Sequence, residues 1–275
     1  MKNKSDNVEH NIRNFNLLTS LLSILNLNNE DDTDFIIARY FLNHLEEIKD
    51  ISIYTVAEEC FVSRSSVQRF IKNIGFDSYT QLKLGLDEVL NHQNGFVSYT
   101  DHSDYRNYIS QSIENMLKDI EEASRSDDFH HLADLVTQAE NIVILTAEDS
   151  SSACRLFQQE ILTTGKLIRI LSSASSNISL LNTLTENDLL LVCSVTGNFA
   201  IAIDHQLKEV KASKCLITLN HTTFFENSYS FIYYLSKRLN ISTRNITSAR
   251  NVYNNYGLTF FFDLFYHECF LEDQK

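Results

Sequence analysis

Residues 52–74 read SIYTVAEECFVSRSSVQRFIKNI, a stretch that predicts two short helices with a tight turn between them. In the second helix Val67, Phe70, Ile71 and Ile74 recur at i, i+3, i+4 and i+7, the spacing that lines one buried stripe. The opposite face then carries Arg64, Ser65, Ser66, Gln68, Arg69 and Lys72. Ser63 stands where an N-cap belongs, at a helix end whose backbone N–H groups and dipole suit a phosphate. Short hydroxyls near the helix start let it lie deep in a major groove, where Gln and Arg reach base edges in bidentate fashion. An ordinary surface helix with a polar outer side has the same periodicity, so the pattern alone leaves both readings open.

Charge is focused on this stretch. Residues 60–83 hold four basic side chains (Arg64, Arg69, Lys72, Lys83) against one acidic, Asp77, whereas residues 1–90 as a whole hold 9 Lys/Arg against 14 Asp/Glu. The chain has a formal net charge of −13, which excludes a protein that coats nucleic acid without regard to sequence, because neutralising phosphates needs a basic surface. It leaves room for a compact DNA-reading element.

Outward from the motif, 275 residues suffice for two cores. Apolar spacing predicts helices over 14–26 and 35–44. The polar, aperiodic stretch QNGFVSYTDHSD, 93–104, is the expected linker. Ile109, Ile113, Leu117 and Ile120 then recur every three or four residues in an amphipathic connecting helix. From residue 141 the period changes: short apolar runs at 142–146, 167–171, 188–194, 215–219 and 231–235 alternate with helix-length segments, the pattern of βαβ units in a parallel sheet. An aromatic helix over 252–271 closes the chain. The expected division is a helical DNA-binding domain, 1–90, a linker, 91–104, and an α/β domain, 105–275.

No apolar run long enough for a membrane span and no secretion signal are read, so a cytosolic protein is expected. The five cysteines, Cys60, Cys154, Cys193, Cys215 and Cys269, are scattered singly, mostly in apolar runs, and read as buried reduced thiols. The adjacent pair His130-His131 cannot present both rings on one helical face, and neither a metal nor a cofactor is expected. The triplet Asn240-Ile241-Ser242 carries no glycosylation meaning in a cytosolic chain.

The stretch Ser63-Arg64-Ser65-Ser66-Val67-Gln68-Arg69-Phe70, followed by Ile74-Gly75-Phe76 and by Leu82-Lys83, resembles the pattern of the RpiR family of bacterial sugar regulators. Upstream, Ile37-Ala38-Arg39-Tyr40, Ser52-Ile53 and Val56-Ala57 extend the match to about residues 33–90. The resemblance implies a helix-turn-helix that binds operator DNA through Ser63, Arg64, Ser65, Ser66, Gln68, Arg69, Lys72 and Lys83. One departure matters: Phe61 occupies the turn position where the family carries Gly. A left-handed residue with a Cβ costs about 1 kcal/mol, tolerable if the ring packs.

From about residue 105 the chain resembles a sugar isomerase (SIS) domain. The implied fold is therefore an all-α helix-turn-helix domain followed by an α/β, parallel-sheet SIS domain, a flavodoxin-like three-layer sandwich. The implied effector is a phosphosugar or related molecule held by Ser150, Ser151, Ser152, Ser194, Thr196 and Gly197, in loops at the carboxyl ends of strands. Gly165-Lys166 also falls at family spacing. Thr146 and Glu148 replace the two glycines of the first loop, Glu148 and Asp149 set negative charge beside a phosphate, and Phe199 replaces a hydroxyl donor. The ligand is then expected to differ from an ordinary tightly held sugar phosphate. A homodimer or dimer of dimers is expected, with the helix at 105–120 and the final helix as candidate surfaces. Two alternatives stand: a DNA-binding regulator whose SIS domain serves dimerisation only, and a sugar-phosphate isomerase using an isolated base such as His205, His221 or Glu160.

Overall fold

Leu17 and Leu21, one turn apart and both buried, seat α1 (Leu17–Leu27) against α2 (Thr33–Asn43), which buries Ile37, Ala38 and Phe41. These are the two helices expected at 14–26 and 35–44. The computed structural model describes residues 17–84, 86, 103–147, 150–172, 178–238 and 252–274. The chain divides into two units, Met1–Gly95 and Phe96–Lys275, and the expected linker lies, through residue 102, outside the described residues.

In the first unit α3 (Ile53–Glu59) and α4 (Arg64–Asn73) form the expected helix pair. Val67, Phe70, Ile71 and Ile74 are all buried, and the Phe70 ring lies 5.9 Å from that of Phe41. Both helices end in the same way. Val62 N–H bonds to the Ala57 carbonyl and Phe61 N–H to that of Glu58, while Phe76 N–H bonds to Ile71 and Gly75 N–H to Lys72. This double closure needs a left-handed residue one past the cap. Gly75 supplies φ 97° without a Cβ, whereas Phe61 adopts φ 55° with one. Phe61 is 96% exposed, so the strained left-handed residue is present and the condition under which its strain would be offset, a packed ring, is not met within its own unit.

The second unit starts with α5 (Tyr105–Ala123) and α6 (Asp127–Gln138). Five parallel strands follow, β1 (Ile142–Thr146), β2 (Ile168–Ser172), β3 (Leu189–Cys193), β4 (Ser213–Thr218) and β5 (Phe231–Tyr234), in the order β2-β1-β3-β4-β5. Crossover helix α7 (Ser151–Glu160) leads from β1 to β2, and α8 (Asn198–Leu207) from β3 to β4. Because a sheet made by crossovers is covered on both faces, its inner strands read as unbroken apolar runs, and β1 and β3 are buried at every position. Ile142, Ile144, Leu189, Leu191, Cys215 and Ile217 face a core shared with α5, α6 and α7. Their neighbours Val143, Leu145, Leu190, Val192 and Leu216 are equally buried on the other face, the side of α8 with its buried Phe199, Ala200, Ile203 and Leu207.

The chain closes with a π-helical turn, Tyr253–Gly257, running into α9 (Leu258–Asp273). α9 sends Leu258, Phe261, Phe262, Phe265 and Cys269 into the same core. A Cβ on Gly257 would stand 2.9 Å from Met116 Sδ and 3.0 Å from Ile120 Cδ1, so this glycine sets how closely the final segment approaches α5. No helix among the described residues is long and apolar enough to cross a membrane.

Candidate functional site

Ser63 caps α4 by accepting the Ser66 N–H at 3.1 Å, and its hydroxyl also meets those of Ser65, at 2.7 Å, and Ser66, at 2.9 Å. The cap fixes where the helix begins, and the buried stripe of Val67, Phe70 and Ile71 fixes its rotation. Arg64, Ser65, Gln68, Arg69 and Lys72 are consequently exposed together along its outer side, with Ser66 half-buried. Among the candidate DNA contacts, Lys83 stands apart. Its Nζ donates to the Lys49 carbonyl at 2.7 Å and lies 4.9 Å from the centre of the Tyr79 ring, which ties the helical residues 79–84 to the turn before α3.

Tyr54, which the sequence reading passed over, belongs to the same surface. It is 63% exposed on α3, its ring centre lies 4.8 Å from the Arg64 guanidinium carbon, and its hydroxyl accepts a hydrogen bond from Arg64 Nη1 at 2.9 Å. Ten residues separate the two, a spacing no single-helix pattern can show.

At the carboxyl edge of the sheet, the loops after β1 and β3 leave neighbouring strands and their helices depart in opposite directions. That arrangement is the topological switch point at which sheets of this order open a crevice. Ser150, Ser151 and Ser152 lie on the β1 side, and Ser194, Thr196 and Gly197 on the β3 side. Ser152 is exposed, Thr196 half-buried and the other four buried. Glu148 and Asp149 lie outside the described residues.

The hydroxyls here are engaged. Ser150 Oγ donates to Asn254 Oδ1 at 2.8 Å, Ser194 Oγ accepts the Ala200 N–H at 3.2 Å, and Thr196 Oγ1 accepts the Asn198 N–H at 3.3 Å. The last two contacts occupy amides of the first turn of α8. Asn220 laces the β3 loop to the β4 loop by donating from Nδ2 to the Thr196 carbonyl, at 3.0 Å. Gly197, at φ 81°, permits this contact, for a Cβ there would stand 2.8 Å from the same nitrogen. Thr146 is buried and donates to the Cys193 carbonyl at 3.3 Å, so its side chain belongs to the sheet. Phe199 is 2% exposed and lies in the core. Lys166 Nζ donates to the Ala139 carbonyl at 3.1 Å. Asn254 and Asn220 were missed because they reach the two loops from far along the chain.

The three side chains weighed as bases do not converge. Glu160 ends α7 and His205 lies in the last turn of α8, toward the amino edge of the sheet, whereas His221 follows β4 at the carboxyl edge. Burial, and then Asp263, push the Glu160 carboxyl pKa up, and its Oε2 has no hydrogen-bond partner. His221 stacks on Tyr234 at 3.9 Å, with Nε2 3.0 Å from the Ser236 carbonyl. The five cysteines are buried, and burial pushes the thiols of Cys60 up to about 11 and of Cys215 and Cys269 up to about 12, which keeps them protonated and unreactive.

The geometry defines a class: a helix-turn-helix unit followed by an open, doubly wound α/β unit. The family described as helix-turn-helix domain, rpiR family, matches residues 19–93, and the N-terminal unit is a domain of that family. The HTH-type transcriptional regulator GlvR of Bacillus subtilis is 26% identical over 171 residues, which cover 61% of this chain and 62% of that protein. This chain thus spans less than two thirds of that relative's length. Among solved structures, the Vibrio vulnificus NanR protein complexed with ManNAc-6P is similar at 16% identity and a TM-score of 0.47, over 94% of this chain and 92% of that one. The sugar isomerase domain of an RpiR transcription factor from Sphaerobacter thermophilus is similar at 12% identity and a TM-score of 0.45, over 60% and 90%.

Proposed function

We propose that the protein is a cytoplasmic transcription regulator that reads operator DNA with α4 and adjusts that binding to a small sugar-derived effector held at the β1/β3 switch point. The observation that carries the DNA reading is the capped, rotationally fixed α4, which presents Gln68, Arg69 and Lys72 on one exposed side within an rpiR-family domain. GlvR, named as a transcriptional regulator, supports the same class. Gln68 and Arg69 are the base-reading pair, Lys72 and Ser65 contact the backbone, and Lys83 holds the domain together more than it touches DNA. Duplexes enriched from a random pool test this. Gln68→Ala and Arg69→Ala each lower affinity for the enriched sequence by roughly tenfold or more while leaving binding to arbitrary DNA nearly unchanged. Equal affinity of parent and variants for the enriched sequence would sink the assignment.

A second reading is favoured by a specific observation. Ser150, Ser194 and Thr196 already have partners within the protein, as expected of an α/β domain retained for dimerisation alone. A thermal-shift panel of hexose and hexosamine 6-phosphates with their unphosphorylated counterparts separates the two, since a ligand at 100 times its Kd adds about 2.7 kcal/mol. A shift with any member supports a working sensor. No shift across the panel, with DNA binding intact, supports the dimerisation reading.

A further inference from the structure

We propose that Tyr54 and Arg64 together clamp one backbone phosphate of bound DNA, Tyr54 being the positioning residue that aims the Arg64 guanidinium. The inference rests on the reading of α4 as the DNA-facing helix. Three observations converge on it. The two side chains come from different helices of the pair, both are exposed, and they meet through a hydrogen bond of 2.9 Å and a ring contact of 4.8 Å.

The chemistry follows from which group donates. Arg64 Nη1 donates to the phenol oxygen, so the Tyr54 O–H proton remains to be given to another acceptor, and the exposed guanidinium has further N–H donors to offer. A tyrosine hydroxyl and an arginine fork, side by side, make a donor set for a tetrahedral anion and offer nothing to a cation or an acceptor-poor surface. An arginine held on a ring keeps its full charge while losing less rotamer freedom when it engages an anion, because part of that ordering is already present in the free protein.

Position selects phosphate over a base edge. In a helix-turn-helix the second helix enters the major groove while the first crosses the backbone. Because Arg64 is tied to Tyr54 on α3, the helix that crosses the backbone, its guanidinium is drawn toward the strand and away from the base edges that the start of α4 otherwise meets, and Gln68 and Arg69, a turn further along, are left to read the bases. On this view Tyr54 and Arg64 fix the register of the domain on the duplex and Gln68 and Arg69 choose the sequence.

The test uses the full chain and a fluorescein-labelled duplex of arbitrary sequence, beside the enriched duplex, titrated over a series of salt concentrations. Arg64→Ala is expected to lower affinity roughly tenfold or more on both duplexes and to reduce the slope of log K against log salt by about 1. Tyr54→Phe, which keeps the ring and removes the hydroxyl, is expected to lower affinity by about threefold, and Tyr54→Ala by more. In the Arg64→Ala background the Tyr54 substitutions should have little further effect, because their contribution runs through the guanidinium. Should Tyr54→Ala lower the melting midpoint, Tyr54→Phe against Arg64→Ala decides. Strictly additive losses, an unchanged salt slope for Arg64→Ala, or a loss confined to duplexes bearing one particular base pair would each overturn the clamp. The Gln68→Ala/Arg69→Ala double variant separates the two levels. If it loses the enriched sequence while Arg64→Ala and Tyr54→Ala bind normally, only the clamp fails. If neither set alters binding, the reading of α4 fails with it.

Discussion

Phe61 and Gly75 hold the same place in two copies of one helix-ending motif, and only one of them is suited to it. A left-handed conformation costs a residue with a Cβ about 1–2 kcal/mol, while a glycine there gives back about 0.4–1 kcal/mol through the greater freedom of the unfolded chain. With its ring almost wholly exposed, Phe61 recovers nothing by burial within its unit. Phe61→Gly is therefore expected to stabilise the first unit by about 0.5–1 kcal/mol, a rise of a few degrees in its melting transition. An unchanged or lowered midpoint would mean that the ring has a packing partner. Gly197→Ala should act in the opposite direction, because the new methyl would collide with Asn220 and with the ring of Phe225, at a backbone angle unsuited to alanine. A loss of about 1–3 kcal/mol in denaturant unfolding is expected. The positive φ at Phe61 was legible only through the resemblance to the RpiR pattern, which carries Gly at that turn position. The exposure of its ring was not, since that depends on the neighbours the fold places around it.

Among the elements, the sheet is held at its amino edge by one carboxylate. Asp188, 4% exposed beside β3, accepts from Thr185 N and Asn141 Nδ2, both at 2.7 Å, and from Thr185 Oγ1 at 2.9 Å. Burial alone would raise its pKa, but these bonds favour the charged form more, and the folded value lies below the ordinary one. A depressed folded pKa stabilises fully above the unfolded value of about 4, and that contribution is lost as pH falls through the lower folded value. Asp188→Asn should cost about 1–3 kcal/mol at neutral pH and flatten the acid limb of the stability profile. Urea midpoints measured from about pH 7 down to about pH 3 check this, and parallel curves for parent and variant would refute it. The strands themselves were readable because buried parallel strands leave unbroken apolar runs: 142–146 is β1 as expected, and the others shift by one or two residues at their ends. The π turn at Tyr253–Gly257 was not readable. It lies where Gly257 approaches Met116 and Ile120 on α5, and its side-chain hydrogen bonds run from Tyr253 to Asp119, at 2.6 Å, and between Asn254 and Ser150, contacts that no local pattern records.

For the whole molecule, α9 offers a prediction about assembly. Its inner side fills the core, yet Phe270 and Leu271 remain 40% and 45% exposed, and Tyr256, in the π turn that leads into it, 49%. Phe270 and Leu271 share the outer side of α9 with the exposed Asp263 and His267, a mixed polar and apolar surface suited to a partner that covers its apolar end. A homodimer at micromolar concentration is expected in sedimentation, and Phe270→Asp/Leu271→Asp should shift it to monomer without lowering the melting midpoint of the parent fold. A monomeric parent, with and without DNA, would remove the case for paired half-sites.

The strand order has a further consequence, in time. β1 cannot complete its ladder until β3 exists, since Ile142 pairs with Leu189, and α9, which seals that core, follows all five strands in the chain. The helices of the first unit, by contrast, find their partners among near neighbours, contacts that form quickly. At about 5–20 residues per second, the 180 residues after Gly95 take roughly 10–40 s to synthesise. During that interval every residue of the first unit is present and the second unit cannot close. On the proposed function, a nascent or prematurely terminated chain that stops before β3 is thus a DNA reader with no effector control, and ligand response follows DNA reading in the order of synthesis.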